Sequence, residues 1–442
     1  MDNLYSAGWL AEKIADRSIR GIALETSALI RAGVLPVGTR LPSIRDLAYE
    51  LKISPATLSE AWADLRRHKV ITGRGRNGTW VSGDRFVAKP ERFASAGHYG
   101  PDALDLTMAV PDPALLPPLG QALVHAATVD NLNDYERTRI IPELHEAVLP
   151  RWPYQPEAFL VTNGGYNAVY TAIRALVSPG SAVAIENPTA MRLLDILEDF
   201  GVKIIPVLCD EEGPTPASLQ AALQQHPTAF VFQPRLHSVT GQTVSAERLA
   251  ELGDVLAGGD TVIIEDDGMG DISQMPAQSL GGRFPDRTIH ILSYSKTLGP
   301  DLRLAVLSSC APIVEQIQSY RAFSAGWTSR LLQSATAWLL GDGRSADMVA
   351  QARATYQRRR DGLADALICR GVPVPAGGGL CLWLPVASES FATVTLAARN
   401  IAINPGRKFS LLPGDHIRVA TSTLGEDRWE SVADAIALAS TD

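Results

Sequence analysis

Apolar positions recur at helical spacing early in the chain and at strand-like spacing later. From Ser18 to Ala32, the residues Ile19, Ile22, Ala23, Leu29 and Ile30 share one face of a predicted helix. Gly33 ends it, and Pro36 and Gly38 mark a turn. Ser43 then stands as the N-cap of a second helix in LPSIRDLAYEL, with Asp46 completing a variant of the capping box. Ser54 caps a third helix, with Pro55 at its first position and an apolar stripe of Leu58, Ala61, Trp62 and Leu65 expected in the core. ITGRGRNGTWV reads as two short strands around a turn rich in glycine and arginine. Three short helices and a hairpin are the parts of a winged helix-turn-helix, placed at residues 1–82.

Residues 83–103 have mixed polarity with scattered Gly and Pro and read as a linker. From Leu104 to residue 442 short β-branched runs alternate with helical ones: AFLVTNG, AVAIENP, TAFVFQP, TVIIEDD and RTIHILSYS. Each run ends at a turn and most are followed by a helix, which predicts an α/β body with a mainly parallel sheet. Ligands of such sheets sit at the carboxyl ends of the strands.

Composition sharpens this picture. A chain of 442 residues is too long for one ordinary domain, and 46% hydrophobic residues suffice for a large core. No apolar run approaches a membrane span, and the opening MDNLYSAGWLAEKIADR has no apolar core of a secretory signal. Cys209, Cys310, Cys369 and Cys381 are scattered, so neither disulfides nor a metal site is expected and a cytoplasmic location fits. The net charge of −8 by itself argues against nucleic acid, but its distribution does not. Residues 1–82 hold 12 basic and 8 acidic side chains, a balance of +4, which leaves −12 on the remainder. Only the head is suited to approach a polyanion.

The sharpest chemical signal is SYSKTLGPDLRLA, residues 293–305. A lysine after Ser-x-Ser at a strand end, with an arginine seven positions later, suits an aldehyde cofactor that carries a phosphate. Lys296 would supply the amine, while the hydroxyls and Arg303 would hold the dianion. TNGGYNA begins a helix after a strand, with small residues that let backbone N–H groups approach a phosphate. In IIEDDG, Asp266 is placed to pair with a pyridinium nitrogen. Arg418 lies in the strand DHIRVA, where a buried guanidinium needs a carboxylate partner, internal or from a ligand.

Taken in order, GTRLPSIRDLA, DYERTRIIPELHEAV, TNGGYNA, AIENPTA, QPRLHSVTG, IIEDDG, SYSKTLGPDLRLA and HIRVATS resemble the MocR group of the GntR regulator superfamily. In that group a winged helix-turn-helix is fused to a fold-type I aminotransferase-like body that binds pyridoxal 5'-phosphate (PLP), with a smaller C-terminal subdomain, here about residues 331–442. The resemblance implies that Lys296 is the Schiff-base lysine and Asp266 the partner of the ring nitrogen. Ser293, Arg303 and the backbone amides of Gly165 and Tyr166 match phosphate ligands. Tyr135 matches a tyrosine that reaches the phosphate of a neighbouring subunit, which implies a homodimer. Arg418 matches the arginine that grips the α-carboxylate of an amino acid.

The chain departs from the pattern at four places. Ala190 replaces a ring-stacking aromatic after ENPT, and Ser238 replaces an asparagine that donates to the ring hydroxyl. Gly268 replaces a tyrosine, and Ile140 a glycine near Tyr135. His237 or Tyr166 is left to fill the gap. The retained residues hold phosphate and aldehyde, and the missing ones tune the electronics, which fits a sensor better than a fast catalyst.

In the head, the resemblance makes Arg45 a phosphate or base contact. Ser54, Ala56, Thr57 and Ser59 lie at the front of the recognition helix, and Arg74, Arg76 and Asn77 at the wing tip. Double-stranded operator DNA and an amino-acid or amine effector are the expected partners, with no membrane. The function expected is therefore a PLP-dependent transcription regulator. The competing readings are a working aminotransferase with a DNA-binding head, and a regulator whose body binds another metabolite in place of PLP.

Overall fold

The protein is described from a computed structural model, which covers residues 5–31, 33–73, 78–82, 92 and 102–440. Internal contacts group residues Met1–Ala94 with Ser178–Ser181 and Asp195–Lys203 in one unit, and place the rest of the chain in a second.

The first unit contains helices α1 (Ala7–Lys13), α2 (Ile19–Arg31), α3 (Ile44–Leu51) and α4 (Pro55–Arg67), then strands β1 (Ile71–Gly73) and β2 (Thr79–Val81). Local chemistry sets the helix starts. The Ser43 hydroxyl accepts from Asp46 N–H at 3.2 Å and donates to the Asp46 carboxylate at 2.7 Å. Ser54 accepts from Thr57 N–H at 3.0 Å, and Pro55 opens α4 without losing a hydrogen bond. Lys52 closes α3 in the left-handed region at φ 56°. The stripe Leu58, Ala61, Trp62 and Leu65 is buried, together with Ile22, Leu47 and Leu51. Each such leucine contributes about 1.5–3 kcal/mol. Helix α1 adds Leu10 to this core and has no counterpart in the sequence reading. At seven residues it is too short to show a period. Strands β1 and β2 pair antiparallel, Ile71 opposite Val81, as the wing requires. The wing-tip residues Arg74, Arg76 and Asn77 lie outside the described residues, as does most of the 83–103 linker.

The body begins at β3 (Leu104–Asp105), followed by α5 (Gly120–Ala126) and α6 (Pro142–Val148). Then come β4 (Ala158–Thr162), α7 (Gly165–Leu176), β5 (Ala182–Asn187), α8 (Met191–Phe200), β6 (Lys203–Asp210), β7 (Gly213–Pro214) and α9 (Pro216–Leu223). They lead to β8 (Ala229–Phe232), α10 (Ala246–Leu256), β9 (Val262–Asp267), β10 (Thr288–Ser293) and β11 (Ala305–Ser309). One sheet of eight strands has the order β4-β11-β10-β9-β8-β5-β6-β7. Strands β5, β8, β9 and β10 are mutually parallel, whereas β11 is antiparallel to both β10 and β4. The unbroken apolar run of β8, AFVF, follows from burial on both faces.

Strand β10 is not followed by a helix. It returns through a tight connection into β11, a strand the alternation of runs did not single out. Gly299 at φ 123° and Arg303 at φ 46° make that reversal possible. Lys296 lies inside this connection.

The chain continues through α11 (Ala311–Arg321), α12 (Arg330–Gly341) and α13 (Gly343–Ile368) to β12 (Cys381–Pro385) and α14 (Glu389–Ala397). It ends with β13 (Ile401–Ala402), β14 (Asn404–Pro405), β15 (His416–Ala420) and α15 (Trp429–Ser440). Strands β12, β15 and β14 form a small antiparallel sheet, packed through Leu363, Leu382, Ile417 and Ile436. Strand β3 pairs with β13, so the start of the body is bound to its C-terminal part. No helix among the described residues is long and apolar enough to cross a membrane.

Candidate functional site

Helix α7 starts directly after β4 with Gly164 at φ 96° and no side-chain cap. Its first-turn N–H groups, those of Gly165 and Tyr166 included, are thus left for an outside acceptor. A Cβ on Gly165 would stand 3.2 Å from the Ser293 Cβ and 3.7 Å from the Asp266 carboxylate, so only glycine keeps this corner open. Ser293 is buried at the end of β10 and donates to the Ser295 hydroxyl at 3.2 Å. Arg303 reaches across from the β10–β11 connection and donates to the Asn163 carbonyl at 3.0 Å. Amides, hydroxyls and a guanidinium thus converge on one side of the α7 N-terminus, a donor set suited to a phosphate dianion.

Asp266 is the penultimate residue of β9, lies beside the same corner and is buried. Burial pushes its carboxyl up to about 7, with Asp267 and Glu186 adding to the rise and Lys296 and His290 opposing it. Lys296 lies in the β10–β11 connection and is partly buried. Burial holds the ammonium below the ordinary lysine range against the pull of Asp266, and Arg418 helps. A lysine amine that gives up its proton readily is a nucleophile.

The Asp266 shift has a thermodynamic consequence for the ligand-free protein. The native state holds the Asp266 proton to higher pH than the unfolded chain does, so the Asp266 contribution to stability falls as pH rises from about 4 to about 7. Asp266→Asn should remove that component. Its stability relative to wild type should grow across this window and level off above it, read from urea unfolding at a series of pH values. A constant difference would contradict the assignment.

Arg418 lies in β15, flanked by Trp383 and Asn404 of the neighbouring strands, and is buried. It donates to the Thr107 carbonyl at 2.7 Å, and its guanidinium lies 4.3 Å from the centre of the Phe409 ring. Its Nε is buried with no hydrogen-bond partner, and no carboxylate among the described residues pairs with it. The internal partner left open by the sequence is therefore absent, and the site fits an incoming carboxylate. Cys381, across the sheet from Ala420, was not foreseen near the site. Its thiol, which donates to the Val239 carbonyl at 3.3 Å, is pushed up by burial while Arg418, Arg360 and Lys296 oppose.

The departures have structural counterparts. Ala190 is buried at the start of α8. A Cβ on Gly268 would lie 3.4 Å from the Asp266 carboxylate, so the chain holds space there where a side chain is usual. Ser238 donates its N–H to Gln233 Oε1 at 2.8 Å. Ile140 packs against the core that contains Leu144 and Val148. His237 Nδ1 accepts from Thr240 N–H at 3.0 Å, while its Nε2 lies 3.4 Å from Glu186 without a hydrogen bond. Tyr135 is 85% exposed, its ring edge-on to Trp327 at 5.8 Å.

In the head, Arg45, Ser54, Ala56 and Ser59 are exposed and Thr57 is partly so. The Ser54 and Thr57 hydroxyls bond to each other at 2.8 Å, which ties both to the helix cap. Arg45 lines a concavity of about 850 Å³ together with Arg40 and Arg66, which the sequence did not mark. Arg40 lies 5.7 Å from the centre of the Trp80 ring on β2. Tyr49, one turn after Arg45, is 81% exposed. These three arginines come from different elements, and no sequence spacing unites them.

A DNA-binding head of the regulator type on a body of the aminotransferase type is the class that fold and site define. A model of bacterial regulatory proteins, gntR family, matches residues 19–81, and one of aminotransferase class I and II matches residues 102–436. The vitamin B6 salvage pathway transcriptional repressor PtsJ of Salmonella typhimurium is 33% identical over 91% of this chain and 94% of its own length. The HTH-type transcriptional regulator TauR of Rhodobacter capsulatus is 30% identical over 86% of this chain and 87% of its own. The HTH-type pyridoxine biosynthesis transcriptional regulator PdxR of Corynebacterium glutamicum is 25% identical, covering 85% of each chain. Among solved structures, kynurenine aminotransferase of Pyrococcus horikoshii matches with a TM-score of 0.71 at 20% identity, over 76% of this chain and 90% of that one. At that identity the likeness speaks for the fold. The chain belongs to the MocR-type regulators of the GntR superfamily.

Proposed function

We propose that this chain is a cytoplasmic, homodimeric transcription regulator. Residues 1–82 would bind operator DNA, and residues 104–442, joined through 83–103, would hold PLP on Lys296 and sense PLP or an amino-acid-like effector. The observation that carries this reading is the buried Arg418, whose Nε has no hydrogen-bond partner and which pairs with no carboxylate among the described residues. That arrangement suits a carboxylate ligand presented to a cofactor-bearing lysine. The vitamin B6 terms in the names of two relatives support PLP itself as one of the sensed molecules.

PLP, when bound, supplies an aldehyde carbon for an amine and a ring that draws electrons. The protein's part is positional. The α7 amides, Ser293 and Arg303 would hold the phosphate, and the Lys296 Nζ would be the amine. The Asp266 carboxylate would hold a proton at the ring nitrogen, and Arg418 would orient an effector by its carboxylate. The exposed Tyr135 supports a role that crosses to a second subunit. With alanine at 190, glycine at 268 and serine at 238, fast turnover is not what the site is built for.

Operator titrations with and without effector test the division of labour. Arg45→Ala should weaken DNA binding, make the salt slope shallower by about 0.9 and leave cofactor absorbance unchanged. Arg418→Ala should keep effector-free DNA binding and lose effector affinity by roughly ten- to hundredfold, since a charge-assisted pair is removed. Regulation requires that the effector bind the two states of the dimer unequally. A full effector response in Arg418→Ala would exclude the Arg418 pocket as the sensor.

A further inference from the structure

The bare position at Ala190 raises the question of what covers the ring face of the cofactor site. Tyr166 is the aromatic side chain that follows Gly165, whose Cα lies against both Ser293 and Asp266. From the first turn of α7 it projects toward the start of α8, where the Arg192 guanidinium lies 4.7 Å from the centre of its ring. Arg192 stands two residues after Ala190, on the segment that normally brings the stacking aromatic. The same segment is tied to the effector side, because Thr189 N–H donates to the Phe409 carbonyl at 2.8 Å and Met191 packs with Phe409. Phe409 is the ring under Arg418. Tyr166 is therefore bracketed by Asp266 at one end and by the Ala190–Arg192 segment at the other.

We infer that Tyr166 is the positioning residue that covers the face of the cofactor ring left bare by Ala190, with Arg192 clamping its outer side. This rests on the PLP reading above. The electrostatics agree with the placement. Burial pushes the Tyr166 phenol up to about 12, and the groups it senses are Asp266, Arg192 and Arg418, which surround the cofactor site. A cation on the outer face leaves the inner face for an aromatic ligand, and an electron-poor pyridinium is a good partner for an electron-rich phenol ring. The aromatic contact has been moved from the start of α8 to the start of α7, while its place beside Asp266 is kept.

The test is PLP titration of the full-length apoprotein, followed by absorbance and by visible circular dichroism, which reports how rigidly the ring is held. Tyr166→Phe keeps the ring and should stay within about twofold of the wild-type Kd. Tyr166→Leu keeps an apolar side chain without the ring. It should bind PLP about three- to tenfold more weakly and lose most of the visible dichroism. Wild-type Kd and dichroism in Tyr166→Leu would overturn the inference. A second arm leaves Tyr166 in place: in Ala190→Trp the new ring should meet an occupied face, and binding should weaken or stay unchanged. Tighter binding by Ala190→Trp would show that the face was bare, and would equally overturn it. Failure of the wild type to take up PLP at all would instead remove the cofactor reading itself, before any variant is compared.

Discussion

Lys296→Ala is expected to abolish the visible absorption of the lysine-linked cofactor completely, while the protein stays folded. The reason is chemical: the link needs a primary amine at that point, and Lys296 is the lysine in the connection that follows Ser293. PLP should still bind, because the α7 N-terminus, Ser293 and Arg303 are untouched, and it should then absorb as the free aldehyde. Borohydride should no longer fix it to the chain. In the ligand-free protein the substitution removes an ammonium that burial disfavours, so no large loss of stability is expected. It also removes the cation that lowers the Asp266 pKa, so Asp266 should titrate even higher than it does in the wild type. An unchanged spectrum in the variant would remove Lys296 from the site.

The second large effect is on stability. Arg235, nearly fully buried, pairs with the buried Asp267 at 2.8 Å and reaches Asp271 at 3.5 Å and the Met275 carbonyl at 3.4 Å. Asp267 in turn accepts from Gly270 N–H at 3.1 Å and follows Asp266 in the chain. Arg235→Met would leave the Asp267 carboxylate buried without a cation. Breaking such a pair costs about 3–5 kcal/mol, because an uncompensated charge remains inside. Guanidinium unfolding of the body should show that loss. Arg235→Met/Asp267→Asn should recover much of it, since the charge itself is then gone. A loss below about 1 kcal/mol in the single variant would mean that water reaches Asp267. The pair also fixes the Asp267–Gly270 turn, where Gly270 at φ 54° passes close to the Ser293 carbonyl. Weaker PLP binding should therefore accompany the instability.

What could be read along the chain was chemistry confined to a few neighbouring residues. The caps at Ser43 and Ser54, the stripe of α4 and the wing strands all depend on hydrogen bonds or periods within one or two turns. The strands β4, β5, β8, β9 and β10 were legible as short runs rich in apolar and β-branched residues, bounded by turns. Lys296, Asp266 and Arg303 could be singled out because each lies at or near a strand end within a compact motif.

Tertiary structure alone decided the rest. The antiparallel return of β10 into β11 came from two left-handed positions, at Gly299 and Arg303, and no residue pattern announces a reversal of that kind. The partner of Arg418 turned out to be a carbonyl 311 residues away, at Thr107, and its buried Nε has no hydrogen-bond partner among the described residues. Arg192 over Tyr166, Arg235 against Asp267, and Arg40 and Arg66 beside Arg45 are likewise neighbours through topology. The sequence by itself thus determined which local elements form and which reactive groups stand at their ends, because those depend on short-range bonds and periodicity. Which of those groups face one another, and which are left without a partner, was decided by how the sheet order and the helix packing bring distant segments together.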